Sequence, residues 1–395
     1  MDEQNQQLIG VSEPAEYRQL IKVLARGKKG SRSLTLIESF QLVRGFYDKI
    51  GTVTQLSVAV MLMRVKGEVA AEVAGTALAL RSTIDNQWQQ LDVDIDWPCY
   101  GAKRDQLPYL LLSAKLLAEN GYRILLHGDN RVLPHRQHIA HFIEALGIVS
   151  VSSAAEAQVA LTSSGICYVN GDVFSSLVSS FTDIHQEMGL RSLFQSAIRC
   201  INPTNANLSL RSYFHPGLDE THIHVAKLMA EIEPTLGKTT VAIFKGYQGE
   251  CELNPRSSAS INVVKREGVS QLEIPTQLNA LIGSKAQKEE LQAQWLTELW
   301  HGEQRNGNGT GHSTESLRAY SAVLTNTAVL LMLTDSSLSI DRAKMLAAEY
   351  WMSRRTYSVS QDTHFLSDAK AVDSTLQHPC FVTHVEVSNA HIDPV

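Results

Sequence analysis

Apolar residues recur at helical spacing throughout residues 1–92. Tyr17, Leu20, Ile21 and Leu24 lie on one face, and Arg26-Gly27-Lys28-Lys29-Gly30-Ser31 closes that element with glycines. Leu36, Phe40, Val43 and Tyr47 predict a second helix within 35–49. A third is expected over 53–65 and a fourth over 69–81, separated by Lys66-Gly67-Glu68. No strand is needed before Leu91.

The pattern changes at that point. Residues 91–97 alternate apolar with acidic side chains, the signature of a half-buried strand, and lead into the turn Pro98-Cys99-Tyr100-Gly101-Ala102-Lys103-Arg104. A helix then starts near Pro108 and stops at Gly121, both suited to helix ends. The strand expected at 122–126 runs into His127-Gly128-Asp129. Loops at the carboxyl ends of neighbouring strands are where open α/β sheets bind ligands. Further strands are expected at 157–161, 165–169, 208–214 and 239–245, with helices at 174–188 and 219–231 between them. Helices at 287–300, 316–333 and 340–354 follow, the first two linked by a polar glycine-rich loop at 302–309, and 381–387 reads as an edge strand. Alternation of this kind predicts an α/β fold: an N-terminal helical domain plus an α/β large domain with a central, mainly parallel sheet covered by helices. The expected boundaries are 1–92, 93–364 and an extension at 365–395, with a segment near 172–195 packing on the helical domain.

Composition narrows the class. A chain of 395 residues with 44% apolar content feeds more than one ordinary core. No segment reads as a membrane span, because the longest apolar stretch, 107–118, is interrupted by Lys115. The opening Met1-Asp2-Glu3-Gln4-Asn5 lacks the order of a secretory signal. Cys99, Cys167, Cys200, Cys251 and Cys380 are dispersed, as expected for reduced thiols in the cytoplasm. The net charge of −6 opposes bulk attraction to nucleic acid but not a local basic face.

Such a face is visible. Arg18, Lys22, Arg26, Lys28, Lys29 and Arg32 occur without an acid between Tyr17 and Ile37, and the first three recur every four residues as a helical stripe. A solvated face is the plain reading; contact with phosphate backbones is the sharper one, favoured by the missing acids. Lys103 and Arg104 sit at a helix start, where a cation opposes the helix dipole and so implies an anionic partner. His135, His138 and His141 are three apart, yet no carboxylate flanks them at ligand spacing and Arg136 stands among them, which disfavours a metal. His222 and His224 fall on different helix faces, and Glu250 and Glu252 flank Cys251 as possible magnesium ligands through a bound diphosphate. No nucleophile elbow or triad is readable.

The order of these elements, with Glu144-Ala145-Leu146-Gly147-Ile148, Gly189-Leu190-Arg191-Ser192-Leu193-Phe194 and Ile201-Asn202-Pro203-Thr204-Asn205, resembles the anthranilate phosphoribosyltransferases, glycosyltransferase family three. The match is closer to the paralogous TrpD-like branch whose characterised members bind nucleic acid. It is carried by Arg26-Gly27-Lys28, Arg32-Ser33-Leu34, Arg64-Val65-Lys66-Gly67-Glu68, Tyr100 to Arg104, and Lys245-Gly246-Tyr247-Gln248-Gly249-Glu250. The resemblance implies homodimers joined through the helical domain and a phosphoribosyl diphosphate cleft with Mg2+. The cleft would involve Tyr100, Gly101, Lys103, Arg104, His127, Gly128 and Asp129, with His185 at the acceptor position and Glu250 and Glu252 in place of the metal-binding pair.

Departures from the enzyme pattern are pronounced. Trp97-Pro98-Cys99-Tyr100-Gly101 replaces a glycine-rich diphosphate turn, and Leu126-His127-Gly128-Asp129 adds an acid where phosphates are expected. The expectation is a homodimeric paralogue without tryptophan-pathway activity that binds nucleic acid through Arg18, Lys22, Arg26, Lys28, Lys29, Arg32, Lys103 and Arg104. The alternative is a phosphoribosyltransferase acting on anthranilate or another acceptor.

Overall fold

The computed structural model describes residues 8–27, 29–131, 133, 135–277, 292–302 and 314–354. Its first part is helical: α1 (Pro14–Ala25), α2 (Leu36–Tyr47), α3 (Val53–Lys66), α4 (Ala70–Arg81) and the short α5 (Asn86–Gln89). Capping boxes fix the starts of the first three, through Glu13 with Glu16, Thr35 with Glu38 and Thr52 with Gln55. Helix α4 is buried along most of its length. Gly75 permits its close approach to α2, since a Cβ there would lie 2.2 Å from the Leu36 carbonyl oxygen.

The remainder is built on one eight-stranded sheet. Its strands are β1 (Ile95–Cys99), β2 (Ile124–Gly128), β3 (Val149–Val151), β4 (Ile166–Asn170), β5 (Leu208–Tyr213), β6 (Thr240–Lys245), β7 (Ala259–Lys265) and β8 (Gly268–Ile274). They run in the order β3-β4-β2-β1-β5-β6-β7-β8; β1–β6 are parallel, β7 runs against them and β8 returns, so that β7 and β8 form an antiparallel hairpin at the edge. The helices are α6 (Leu110–Glu119), α7 (Ala154–Ser164), α8 (Gly171–Phe174), α9 (Ser176–Met188), α10 (Phe194–Ala197), α11 (Leu218–Ile232), α12 (Ala293–His301), α13 (Thr314–Thr334) and α14 (Ile340–Ser353). The fold is therefore the α/β arrangement expected, with a helical N-terminal part. Phe174, Leu177, Phe181, Phe194 and Ile198 join the core of α1–α5, whereas α6 and α12–α14 cover the opposite face. Arg81, at the end of α4, bridges the two parts: it pairs with Glu233 at 2.6 Å, donates to Asn205 Oδ1 at 2.9 Å and also meets the carbonyls of Ile201 and Asn202.

Three expectations are corrected. Residues 157–161 belong to helix α7, which Ser153 caps through the Glu156 amide. Their short apolar alternation, Ala157-Gln158-Val159-Ala160-Leu161, buries only Ala157, Ala160 and Leu161, the helical set. The β7–β8 hairpin was not anticipated. Its outer strand is largely exposed and so carries little apolar periodicity. Ser316–Thr334 in α13 is long and apolar enough, by composition, to cross a membrane, contrary to the expectation that no segment is; 78% of that window is buried, which makes it a core helix here. The edge strand expected at 381–387, the 302–309 loop after Gly302 and the 365–395 extension lie outside the described residues.

Candidate functional site

The carboxyl ends of β1 and β2 face the helical part, and their loops are closed from within. Tyr100, 4% exposed, places its hydroxyl 2.9 Å from His127 Nδ1. His127 Nε2 lies 2.9 Å from Asp96 Oδ1, and Ser209 Oγ donates to Asp96 Oδ2 at 2.7 Å. One buried polar chain thus spans β2, β1 and β5. The Tyr100 hydroxyl also lies against Gly171, where an added Cβ would come within 2.8 Å of it. Trp97 is equally buried and donates from Nε1 to the Cys251 carbonyl at 2.8 Å. Tyr100 therefore occupies space above these strands on the side of the helical part, whereas Trp97 belongs to the core on the opposite face of the sheet.

The opposing loop seals it. A Cβ on Gly101 would lie 1.8 Å from the Gly249 carbonyl oxygen, so the backbones touch. Glu250 accepts from the Ala102 amide at 2.9 Å and, through its other oxygen, from the Cys251 amide at 2.9 Å. Glu252 accepts from the Leu110 amide at 3.0 Å and pairs with Lys103 Nζ at 2.9 Å, both side chains fully buried. Burial holds the Glu252 carboxyl above its ordinary range and Lys103 below its own, with their mutual attraction a partial offset. Lys103 also sits 4.0 Å above the Tyr247 ring. These carboxylates do not fit a magnesium pair. Their oxygens are directed at amides and an ammonium, and no group of three His, Cys, Asp or Glu among the described residues is arranged to hold a metal.

Lys103 thus points away from any surface and cannot serve as the contact to nucleic acid expected of it. Arg104 is exposed, with its guanidinium 5.7 Å from the Phe214 ring. Asp129, expected beside phosphates, is 2% exposed and engaged by Arg131 Nη2 at 2.9 Å and Thr182 Oγ1 at 2.8 Å, which ties the β2 loop to α9. Gly128 packs so tightly that a Cβ would lie 2.6 Å from the Cys99 carbonyl oxygen. Of the N-terminal stripe, Arg18, Lys22, Arg26 and Lys29 are exposed, while Arg32 is exposed but paired bidentately with Glu38 at 2.6 and 2.7 Å. Lys28 lies outside the described residues.

A more concentrated positive region lies elsewhere, where the helical part meets the sheet loops. Arg64 ends α3 and donates to the Arg191 carbonyl at 2.5 Å. Arg136, from the loop after β2, donates to the Gly101 carbonyl at 3.3 Å. Burial, followed by the charges of Arg136, Arg199, Arg104 and Arg64, holds the Arg191 guanidinium below its ordinary range. Burial and then Arg104 do the same to Arg136. Burial, then the charge of Arg191, lowers His185, whose Nδ1 is buried without a hydrogen-bond partner. None of these five arginines is ion-paired with an acid among the described residues. Sequence reading brought Arg104 and His185 forward but passed over Arg64, Arg136, Arg191 and Arg199 as site residues. They are scattered singly along the chain, and only the fold collects them. His135, His138 and His141 form no metal cluster; His138 is buried and lowered by that burial.

No family model matches the chain. It is 24% identical over 258 residues to the anthranilate phosphoribosyltransferase of Acetivibrio thermocellus, covering 65% of this chain and 71% of that protein. It is 27% identical over 290 residues to the uncharacterised protein YbiB of Escherichia coli K12, covering 71% and 87%. Among solved structures, anthranilate phosphoribosyltransferase from Saccharomyces cerevisiae in complex with PRPP and Mg superposes with a TM-score of 0.65 at 14% identity, over 91% of this chain and 99% of that one. The Thermus thermophilus enzyme gives 0.60 at 20% identity, over 87% and 96%. The chain is thus anthranilate phosphoribosyltransferase-like in sequence and fold.

Proposed function

We propose that this anthranilate phosphoribosyltransferase-like protein binds the phosphates of nucleic acid along its arginine-lined seam and no longer performs tryptophan-pathway transfer. The observation that carries the reading is the set Arg64, Arg104, Arg136, Arg191 and Arg199, cations that press on one another and none of which is ion-paired with an acid among the described residues. Like charges gathered at a cost to stability are relieved by a polyanion, and each neutralised phosphate also releases a counterion. The exposed Arg18, Lys22, Arg26 and Lys29 extend the positive surface onto α1. Lost transfer accounts for the tyrosine and the paired loops that fill the space above β1 and β2.

A homodimer through the helical part accompanies this reading. Helix α3 leaves Val58 and Val65, one face seven residues apart, at 46% and 86% exposure, an apolar edge that a second copy would cover. Four described cysteines are buried and unpaired, in keeping with a cytoplasmic protein.

Retained phosphoribosyl transfer is the second reading. The comparisons support it more directly, because the relatives named as enzymes share the fold and one of them holds PRPP and Mg. A pair of measurements separates the two. In a salt titration of single-stranded oligonucleotide binding, Arg136→Ala/Arg191→Ala should weaken affinity and flatten the log–log slope by about 1.4, at about 0.7 per lost phosphate contact. Calorimetry with phosphoribosyl diphosphate and magnesium should show no heat. Heat that saturates with magnesium present, together with an unchanged salt slope, would replace the first reading by the second.

A further inference from the structure

Arg211 stands in the middle of strand β5, 2% exposed, and a guanidinium keeps its charge at any ordinary pH. Its Nη2 reaches only the Cys200 carbonyl, at 3.4 Å, whereas Nε and Nη1 have no partner. No carboxylate pairs with it among the described residues. A second guanidinium is close by. Arg199, in the short turn of helix before Cys200, donates to the Gln195 carbonyl and leaves its own buried Nε without a partner. Both charges act on the same two neighbours, Cys200 and His222, which lie 3.6 Å apart. Burial and then these two arginines push His222 down to about 3, so its imidazole is neutral and adds no further positive charge. Asp96 also bears on Cys200, but His127 and Ser209 already occupy its two oxygens.

Buried charges are normally paired, and buried donors are normally bonded. Here two cations bear on one buried Cys200–His222 pair without an acid paired to either among the described residues, and three of their buried nitrogen donors lack a partner. We propose that Arg199 and Arg211 form a receptor for a small phosphate-class oxyanion, set in the wall of the seam and deeper than the rim arginines Arg104, Arg136 and Arg191. An oxyanion supplies both the missing charge and several acceptors at once, which a water molecule does not. Its source is either free orthophosphate or the terminal phosphate of a nucleotide chain. Arg199 is shared with the polyanion reading, but Arg211 is not, and its buried donors lack partners whatever the rim arginines bind.

Thermal unfolding of the full chain tests it, with orthophosphate titrated against chloride at constant ionic strength. The wild-type midpoint should rise by several degrees and saturate. Arg211→Met should show no response and, relieved of an unpaired buried charge, should melt above wild type in phosphate-free buffer. If that variant fails to fold, Arg199→Met must lose the response in its place. Arg104→Ala/Arg136→Ala/Arg191→Ala should keep the phosphate response even where its oligonucleotide affinity has fallen, so the two readings fail separately. A 5′-phosphorylated oligonucleotide binding more tightly than its 5′-hydroxyl form, through Arg211, identifies a chain end as the ligand. Equal binding, with the orthophosphate response intact, identifies the free ion. A wild type indifferent to orthophosphate, an Arg211→Met variant that responds normally, or a rim variant that loses the response would each overturn the assignment.

Discussion

Glu252→Gln separates a strut from a metal ligand. The substitution keeps an acceptor for the Leu110 amide, 3.0 Å away, but removes the charge facing Lys103 at 2.9 Å. Lys103 is then a fully buried ammonium whose nearest remaining support is the Tyr247 ring at 4.0 Å, with Glu250 and Asp105 acting from farther away. Breaking one side of a buried ion pair costs about 3–5 kcal/mol. At roughly 2.1 cal/mol/K of unfolding entropy per residue over about 300 residues, that lowers the midpoint by about 5–8 °C. Lys103→Met/Glu252→Gln should recover most of the loss or pass wild type, because burial already shifts both groups toward their neutral forms and an apolar replacement removes that cost. Scanning calorimetry and urea melts of the four proteins in this cycle supply the coupling energy. A Glu252→Gln protein that melts with wild type, yet binds magnesium or phosphoribosyl diphosphate less well, would refute the structural role and return Glu252 to the metal.

Three other outcomes are expected. His222, at 6.5 when unfolded and about 3 when folded, makes the unfolded chain bind the extra proton between those values; stability should fall as pH drops from about 6.5 toward 3, and His222→Gln should flatten that part of the urea-midpoint profile. Gly101→Ala places a methyl group 1.8 Å from the Gly249 carbonyl oxygen, so the two loops must part; a loss of at least about 1–3 kcal/mol and faster amide exchange at 100–103 and 248–252 are expected. Arg81→Leu removes the bidentate contact to Glu233 and the donors to the 201–205 turn; it should cost about 3 kcal/mol in chemical denaturation, beyond the range of an exposed pair, because the arginine side chain is only 2% exposed.

Much of the architecture was legible in the residues. The α1–α4 helices carry capping boxes and buried faces at helical spacing, and the parallel strands are short apolar runs that end in permissive turns. The miss at 157–161 came from a stretch too short to distinguish two periods, and the β7–β8 hairpin from an edge strand that water covers. Lys103 and Arg104 looked alike in sequence because they are adjacent. In an extended turn, neighbours face opposite ways, and one entered a buried ion pair while the other stayed outside. The unusual cleft turn, with Trp97 and Tyr100, was visible as a departure from the glycine-rich pattern, and both proved buried. The arginine seam was not visible. Arg64 and Arg191 lay in segments that carried the resemblance and Arg136 counted against a metal, but none of them nor Arg199 was singled out as a binding residue, and their proximity is a property of the folded arrangement alone.

The polar chain from Tyr100 through His127 and Asp96 to Ser209 has an evolutionary consequence. Trimming Tyr100 back to glycine would strand His127 and hollow the space beside Gly171; changing His127 first would orphan Asp96. Each single change toward an open, glycine-lined turn therefore passes through a less stable protein. Across homologous sequences, these four positions should switch identity as a set.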